Sequence, residues 1–365
     1  MKRRVLALAA VLGSALVACQ LLIGIEDEGV NRPADAATFD DAAEVDPCVK
    51  LHPPSKPVDV PPNGESLDYS FAIRRFRVRP RGEPPLGFDL DDRCTGDLRS
   101  TTNDSPCRPT NEAKDDDGGV DNAFGRIVDL LSLGFDGGTD VTGDAISDNV
   151  ANGLFTQLVL LYDYNGTAND DAVRVALVES QLITGGCTPD ADGGKPTPKW
   201  DGCDTWGYLA GTPTFGNQLA TADGWVTDDV LVVKLGTIQF GLGIASFKLQ
   251  EAILKARLVH DGGAVRLSEG VVAGRADVTS LFATAAHLSL NDKTDLICNN
   301  APTLDFVRKA TCDAPDLPHA KADDGTDEAC DAVSFAIGFE AERAKIGAER
   351  PRAPDQCDAS ALSCQ

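Results

Sequence analysis

The chain is poor in positive charge and in histidine. It carries 33 lysines and arginines against 57 aspartates and glutamates, a formal net charge of −24, and it has 4 histidines. Phosphate binding needs clustered lysine and arginine, so this balance argues against a nucleic-acid partner. The same deficit argues against electrostatic adhesion to anionic lipid.

The motifs of the common enzyme classes are also missing. The sequence has no G-x-S-x-G elbow, no H-E-x-x-H pair, no P-loop and no Rossmann fingerprint after a strand. No C-x-x-C pair occurs, which disfavours zinc sites and thioredoxin-like chemistry. No residue is therefore predicted to be catalytic, and the sequence favours a non-enzymatic protein.

The N-terminus has the three parts of an export signal. A positive start at residues 2–4 leads into an apolar run over residues 5–17, and the small residue Ala18 comes before Cys19. The apolar run is too short to cross a bilayer. It predicts a signal peptide over residues 1–18 and not a membrane span.

A cysteine at this cleavage point resembles the lipobox of bacterial lipoproteins. The resemblance implies that Cys19 is lipidated on sulfur and becomes the mature N-terminus, and several acyl chains would anchor it stably in a membrane. Gln20 lies where, in the best-known sorting scheme, an aspartate signals retention at the inner membrane. The expected location is therefore the outer membrane of the bacterial envelope. The alternative is an ordinary secreted protein in which Cys19 is incidental.

Residues 19–66 are predicted to form a lipidated cysteine and a disordered, acidic, proline-rich tether. The stretch from Glu26 to Pro62 has few large apolar groups, so it cannot bury enough surface to order itself. A flexible chain of this length would span about 35 Å. Residues 67–365 are predicted to form a single large domain.

Strand patterns dominate that domain. Leu154 to Tyr164 is a nearly continuous apolar run, and apolar residues alternate over residues 333–339 as in a half-buried strand. A turn at residues 261–263 predicts a hairpin, whereas helix starts are few, with Asn122 and Asp277 as expected N-caps. We expect a mainly β domain: a jelly-roll-like β-sandwich with a few peripheral helices and long, disulfide-pinned loops.

The cysteine count predicts a disulfide framework. The chain has 11 cysteines, and setting Cys19 aside leaves an even number, as expected of an exported, cross-linked protein. The remaining cysteines are Cys48, Cys94, Cys107, Cys187, Cys203, Cys298, Cys312, Cys330, Cys357 and Cys364. Free thiols are the alternative.

Sequence alone does not determine how these cysteines pair. Cys330 is expected to bond to Cys357 or Cys364, and Cys48 would then attach the tether to the domain. Short loops favour three further bridges, namely Cys94–Cys107, Cys187–Cys203 and Cys298–Cys312.

Two acidic loops predict a metal site. In an extended segment, alternate aspartates point the same way, and adjacent glycines would let the second loop bend so that its carboxylates converge. The expected ligands are Asp89, Asp91, Asp115, Asp117 and Asp121. Such oxygen ligands suit calcium, which takes roughly six to eight of them. The spacing departs from the EF-hand, and a pair of solvated turns is the alternative.

All three tryptophans lie within one stretch of sequence, close to aspartates. Exposed tryptophan beside aspartate is a common way to stack on a sugar ring and hydrogen-bond it. This pattern predicts a glycan-binding group made of Trp200, Trp206 and Trp225. The competing interpretation is that these side chains cover one edge of the core, which the average burial of tryptophan favours.

Several short segments of the sequence form a recognisable series. They are residues 22–27 after the lipobox, 87–91, 119–122, 164–166, 170–171, 200–202, 273–275 and 330–334. Taken in order, they resemble a group of cell-envelope lipoproteins of myxobacteria. In that group the acidic residue after Leu90 is usually followed by glycine, whereas this chain has Asp92. The resemblance implies an exported, anchored, disulfide-bridged protein and supplies no catalytic residues.

The sequence leaves three hypotheses open. The first is a lipid-anchored, non-enzymatic module that binds a glycan or an envelope protein, with or without calcium. The second is a hydrolase that cleaves polysaccharide with a pair of carboxylates, which the sequence does not single out. The third is a structural surface protein with no small ligand.

Overall fold

The computed structural model describes residues 50–58, 60, 64–78, 85–95, 107, 115–116, 118–134, 143–187, 196–215, 218–243, 246–288, 296–352, 356–358 and 362–364. Cys19, Cys48 and most of the predicted tether lie outside these residues. The end of that tether contacts the domain: the Leu51 carbonyl accepts from the Asp89 amide at 3.0 Å, and the Pro54 carbonyl accepts from Trp225 Nε1 at 3.1 Å.

The described part of the chain is mainly β, as predicted. Its strands are β1 (Leu67–Arg77), β2 (Phe155–Tyr164), β3 (Asp170–Gly185), β4 (Thr205–Leu209), β5 (Thr214–Phe215), β6 (Gln218–Leu219), β7 (Ala222–Thr227), β8 (Val230–Gly241), β9 (Ser246–Asp261), β10 (Ala264–Asp277), β11 (Ala332–Arg343) and β12 (Lys345–Arg350). Its α-helices are α1 (Ala123–Gly134), α2 (Gly143–Ala151), α3 (Val278–Ala286) and α4 (Ala301–Cys312). Short 3-10 turns cover Ile297–Asn299 and Lys321–Asp323.

The main sheet closes on itself. Its strands follow the order β12-β4-β3-β2-β1-β11-β10-β9-β8-β7, and β3 also pairs with β7. Eight strands therefore form an antiparallel barrel, with β4 and β12 added outside it along β3. The sheet does not form the two stacked layers of the predicted β-sandwich. Register shifts in several of these pairs supply the bends that closure requires.

Aromatic side chains fill the barrel. The Phe335 ring lies 4.6 Å from Phe124, 4.9 Å from Phe247 and 5.5 Å from Phe240 between ring centroids. Phe76 in turn meets Phe240 edge-on at 6.4 Å. The interior is thus a packed core and not a channel, as in other small barrels.

The predicted strand at residues 333–339 and the two predicted helix caps are confirmed. Asn122 Oδ1 accepts from the Gly125 amide at 3.1 Å and Asp277 Oδ1 from the Ser280 amide at 2.7 Å. The strand β11 is not half-buried, however. Ser334 and Ala336 on its outer face are as fully buried as the residues that face the core, because residues 86–90 and Leu317 cover that face.

Four disulfides join described residues: Cys107–Cys330, Cys187–Cys203, Cys298–Cys357 and Cys312–Cys364. The Cys187–Cys203 prediction is confirmed, and the expected Cys94–Cys107 and Cys298–Cys312 pairs and the pairing of Cys330 with a C-terminal cysteine are wrong. Cys94 is also disulfide-bonded, with its partner outside the described residues.

A helix explains one of these errors. Helix α4 fills the sequence between Cys298 and Cys312, and its 12 residues hold its ends about 18 Å apart. The two cysteines therefore cannot meet across their short loop. Each instead bonds to the C-terminal segment and fastens it to the domain.

Within the described residues, no helix is both long enough and apolar enough to span a membrane.

Replacing Phe335 with alanine should destabilise the barrel by about 3–5 kcal/mol, because it removes a fully buried ring from a cluster that cannot collapse around the gap. Urea unfolding measures this loss. Phe306→Ala is the matched control, since Phe306 on α4 is 40% exposed and its loss should cost clearly less. Equal losses in both variants would contradict the filled-barrel description.

Candidate functional site

Two apolar side chains place the first acidic loop on the outside of the barrel. Phe88 and Leu90 pack against Val271 and Ala273 of β10 and against Ala336 of β11. The chain bends over residues 90–92, and the carboxylates of Asp89 and Asp91 lie beside that of Asp121 in the second acidic loop.

Hydrogen bonds donated by main-chain amides join the two acidic loops. The Asp121 amide donates to the Phe88 carbonyl at 3.0 Å, and the Leu90 amide donates to Asp121 Oδ2 at 2.6 Å. Further along, the Thr95 amide donates to Asp115 Oδ2 at 2.5 Å, and the Asp115 amide donates to the Thr95 carbonyl at 3.0 Å. Backbone pairing thus holds the loops together without the predicted Cys94–Cys107 bridge.

Three of the five predicted metal ligands come together. Asp89, Asp91 and Asp121 each place a carboxylate oxygen within 4.8 Å of the others, and they are 3%, 4% and 1% exposed. We call these three residues the acidic cluster. Asp115 lies close enough to the cluster for its charge to raise the pKa of Asp121, whereas Asp117 lies outside the described residues.

The acidic cluster contains carboxylate oxygens that no donor among the described residues satisfies. The Arg93 amide donates to Asp89 Oδ1 at 3.2 Å and to Asp91 Oδ1 at 2.8 Å. The second oxygen of each, Asp89 Oδ2 and Asp91 Oδ2, is buried and has no hydrogen-bond partner in the described part of the chain. Buried polar atoms are nearly always paired, and an unpaired carboxylate oxygen is especially costly. These two atoms therefore call for a cationic or donor group between the loops.

Burial and mutual repulsion raise the pKa values of the three carboxyl groups of the acidic cluster and of Asp115. The pKa of Asp91 rises to about 7, first because of burial and then because of the Asp89 charge. The pKa of Asp115 rises to about 8 from burial and from the Asp91 charge. Burial likewise raises the pKa of Asp89 and holds that of Asp121 well above its usual range. The cluster thus disfavours its own ionised state.

A buried arginine beside the first acidic loop is paired with other carboxylates. Arg275 on β10 is fully buried and donates twice to Asp324, at 2.7 and 2.6 Å. It also donates to the Pro318 carbonyl at 2.9 Å and to the Leu90 carbonyl at 3.1 Å. It therefore fixes the backbone between the two loop aspartates while its charge pairs with Asp324 and with Glu251. Sequence reasoning did not assign this role, although a charged residue inside an apolar strand was a signal.

Asp92 points out of the cluster. It adopts a left-handed backbone conformation with φ of 62°, which glycine adopts without strain and which aspartate tolerates better than most residues. Its carboxylate pairs with Lys321 Nζ at 3.0 Å and with His52 Nε2 at 3.2 Å, and hydrogen bonding to Lys321 lowers its pKa. The substitution for the expected glycine therefore leaves the cluster itself intact.

The tryptophans are divided between two places. Trp206 is fully buried and stacks with Trp200 at 6.2 Å between ring centroids over a small core outside the barrel. Trp225 on β7 donates its Nε1 to Pro54 and lies beside the Lys234 ammonium. Trp206 thus packs into the protein interior, as the competing interpretation of this stretch expected.

Strand β3 shows how far apart these places are. Trp206 is paired with Ile183, near one end of the strand, whereas the neighbour of Trp225, Gly224, is paired with Val173 near the other end. Ten strand residues span about 30 Å. The three tryptophans therefore do not form one sugar-binding platform.

Comparison of the chain with protein-family models, with curated proteins and with solved structures finds no match. The function proposed for the protein is accordingly built on the chemistry of its own residues.

The raised pKa values predict how the metal-free protein responds to pH. The ordinary pKa of an aspartate carboxyl is 3.8. From about pH 4 to about pH 7 the folded state therefore holds protons that the unfolded state has lost, and the free energy of unfolding falls as pH rises. In chelator, Asp91→Asn should weaken this trend. Urea unfolding at about pH 5 and about pH 8 measures it, with the exposed Asp305→Asn as control. An unchanged pH dependence in Asp91→Asn would refute the shift.

Proposed function

We propose that the acidic cluster binds a calcium ion and that the protein is a calcium-stabilised, non-enzymatic binding module of the bacterial cell envelope. The observation that carries the proposal is the pair of buried, unpartnered oxygens on Asp89 and Asp91 beside Asp121. A divalent cation between them would satisfy both oxygens and remove the mutual repulsion of the carboxylates.

The spacing of the oxygens supports calcium. Each calcium–oxygen distance is about 2.3–2.6 Å, so two ligands of one ion lie at most about 5 Å apart. One carboxylate oxygen from each of the three aspartates lies within 4.8 Å of the other two. One ion would therefore be in reach of all three carboxylates, and Asp115 beside Asp121 would contribute a fourth acidic group close by.

The donor set favours calcium over other cations. All three side chains offer carboxylate oxygen, whereas zinc sites in proteins are usually built from cysteine and histidine. Magnesium dehydrates reluctantly and usually keeps several waters, which a site this deeply buried accommodates poorly. Calcium accepts irregular, oxygen-rich coordination, and two loops with different backbone paths provide that.

A structural role for the ion fits the architecture better than catalysis. The three carboxylates are almost fully buried, so a polysaccharide chain could not reach them as hydrolysis by a carboxylate pair requires. A bound ion would instead cross-link residues 85–95 to residues 115–122 on the outer face of β10 and β11. It would fix these loops as a rigid surface for an envelope partner.

We propose further that a lipid on Cys19 anchors the module in the outer membrane, as the resemblance to envelope lipoproteins implies. Four described disulfides support export to an oxidising compartment. The docking of residues 51–55 against the domain would leave the residues from Cys19 to Lys50 to reach the membrane.

Calcium should raise the melting temperature of the wild-type protein, because a ligand that binds only the folded state stabilises it by about 2.7 kcal/mol at a hundredfold excess over its dissociation constant. Asp89→Asn and Asp121→Asn should abolish the rise, and the exposed Asp305→Asn should keep it. Thermal unfolding in calcium, in magnesium and in chelator measures the effect. Identical melting in calcium and in chelator would refute the calcium site.

Cys19→Ala should release the protein from membranes, because it removes the sulfur that carries the lipid. Sedimentation of a membrane fraction followed by immunoblotting measures the bound share, and Gln20→Asn serves as a control that keeps the cysteine. Cys19→Ala protein that still sediments with membranes would refute the lipoprotein proposal while leaving the calcium proposal intact.

A further inference from the structure

A small polar pocket lies between β3 and β8. Strand β3 pairs with β7 as far as Val175 and with β4 from Ser180 onward, so β7 no longer separates β3 from β8 there. Gly241 at the end of β8 approaches Glu179 so closely that a Cβ on it would lie 2.8 Å from Glu179 Oε1. The pocket has a free volume of about 10 Å³, room for about one water-sized group.

Two buried polar side chains form the base of this pocket. Gln157 and Glu179 lie directly opposite each other on β2 and β3. Gln157 Nε2 donates to the Gly241 carbonyl at 3.0 Å. That bond fixes the orientation of the amide, because the reversed amide would set its oxygen against the carbonyl oxygen. Gln157 therefore offers its oxygen, and not its amino group, to the pocket.

Both side chains keep an unused acceptor. Arg352 Nη2 donates to Glu179 Oε2, but Glu179 Oε1 and Gln157 Oε1 are buried and have no hydrogen-bond partner among the residues that the structure describes. Two neighbouring buried acceptors without a donor are an exception among native polar groups. The group that completes this pocket must donate hydrogen bonds and has no need to accept any.

The charges around the pocket favour a cationic donor. The Glu179 side chain is 8% exposed and that of Arg352 is 38% exposed. Solvent therefore screens the positive charge of this pair more than it screens the negative charge. A ligand that enters the pocket therefore meets the Glu179 carboxylate, whose charge Arg352 neutralises only in part.

We propose that this pocket binds the ammonium head of a primary amine. An ammonium group is close to water in size, carries three N–H donors and has no acceptor, which matches the free volume and the unused oxygens. The pocket shares no residue with the acidic cluster, so the proposal goes beyond calcium binding and does not depend on it.

Titration of methylammonium into the full chain, followed by ligand-observed NMR, tests the proposal. We expect saturable binding, and we expect no binding of tetramethylammonium, which has no N–H donor. Glu179→Gln should weaken binding at least about tenfold, because its amide can donate to Gln157 and fill the gap. Glu269→Gln is the matched control, since Glu269 also pairs with an arginine, Arg257 at 3.2 Å, but is exposed. It should bind as the wild type does.

Gly241→Ala provides an independent test that removes no polar group. Its methyl group would enter the pocket beside Glu179 Oε1, so methylammonium binding should be lost. This variant tests the proposal even if the Glu179→Gln protein fails to fold. Equal binding of tetramethylammonium, equal binding by a folded Glu179→Gln or Gly241→Ala protein, or the absence of saturable binding would overturn the proposal. The pocket would then hold a buried water only. Competition by Nα-acetyl-lysine amide and by glucosamine separates a protein source of the amine from a sugar source.

Discussion

The burial of Phe88 and Leu90 against the outer face of the barrel is the constraint on which the candidate site depends. It covers strand β11 on its second face, and it places Asp89 and Asp91 beside residues 118–122. The backbone bond from Asp121 to Phe88 then brings a third carboxylate to the same point. Apolar packing thus forces negative charges together that would otherwise remain in water.

The filled interior of the barrel determines where function can lie. Because Phe76, Phe240, Phe247 and Phe335 occupy the centre, no ligand can use the barrel lumen there. The candidate binding sites therefore lie on the outside of the barrel wall and at places where strand pairing changes. The acidic cluster lies on the outer face of β10 and β11. The polar pocket lies where the pairing partner of β3 changes from β7 to β4. Disulfides hold the intervening loops and the C-terminal segment against this wall.

The sequence predicted local structure well, because local physics decides it. The caps at Asn122 and Asp277, the alternation of residues 333–339 and the turn at residues 261–263 all depend on neighbours in sequence. Period-2 geometry predicted that Asp89 and Asp91 converge, but the chain bends over residues 90–92. The Arg93 amide, which donates to both carboxylates, holds them together instead. The alternation of apolar residues does not distinguish a barrel from a sandwich, because both folds present one apolar face per strand. They differ here only in whether β3 pairs with β7. Loop length gave the wrong pairing for Cys298 and Cys312, because the segment between them contains a helix. The tryptophans are close in sequence, but the length of β3 separates Trp206 from Trp225 in the structure.

The central claim is that a cation, and not a set of protons, resolves the repulsion within the acidic cluster. Long-wavelength anomalous diffraction from crystals of the full chain grown with calcium at neutral pH tests it most directly. A bound calcium ion would give an anomalous peak about 2.3–2.6 Å from carboxylate oxygens of Asp89, Asp91 and Asp121. Carboxyl groups hydrogen-bonded to one another or to water, with no anomalous peak between them, would contradict it.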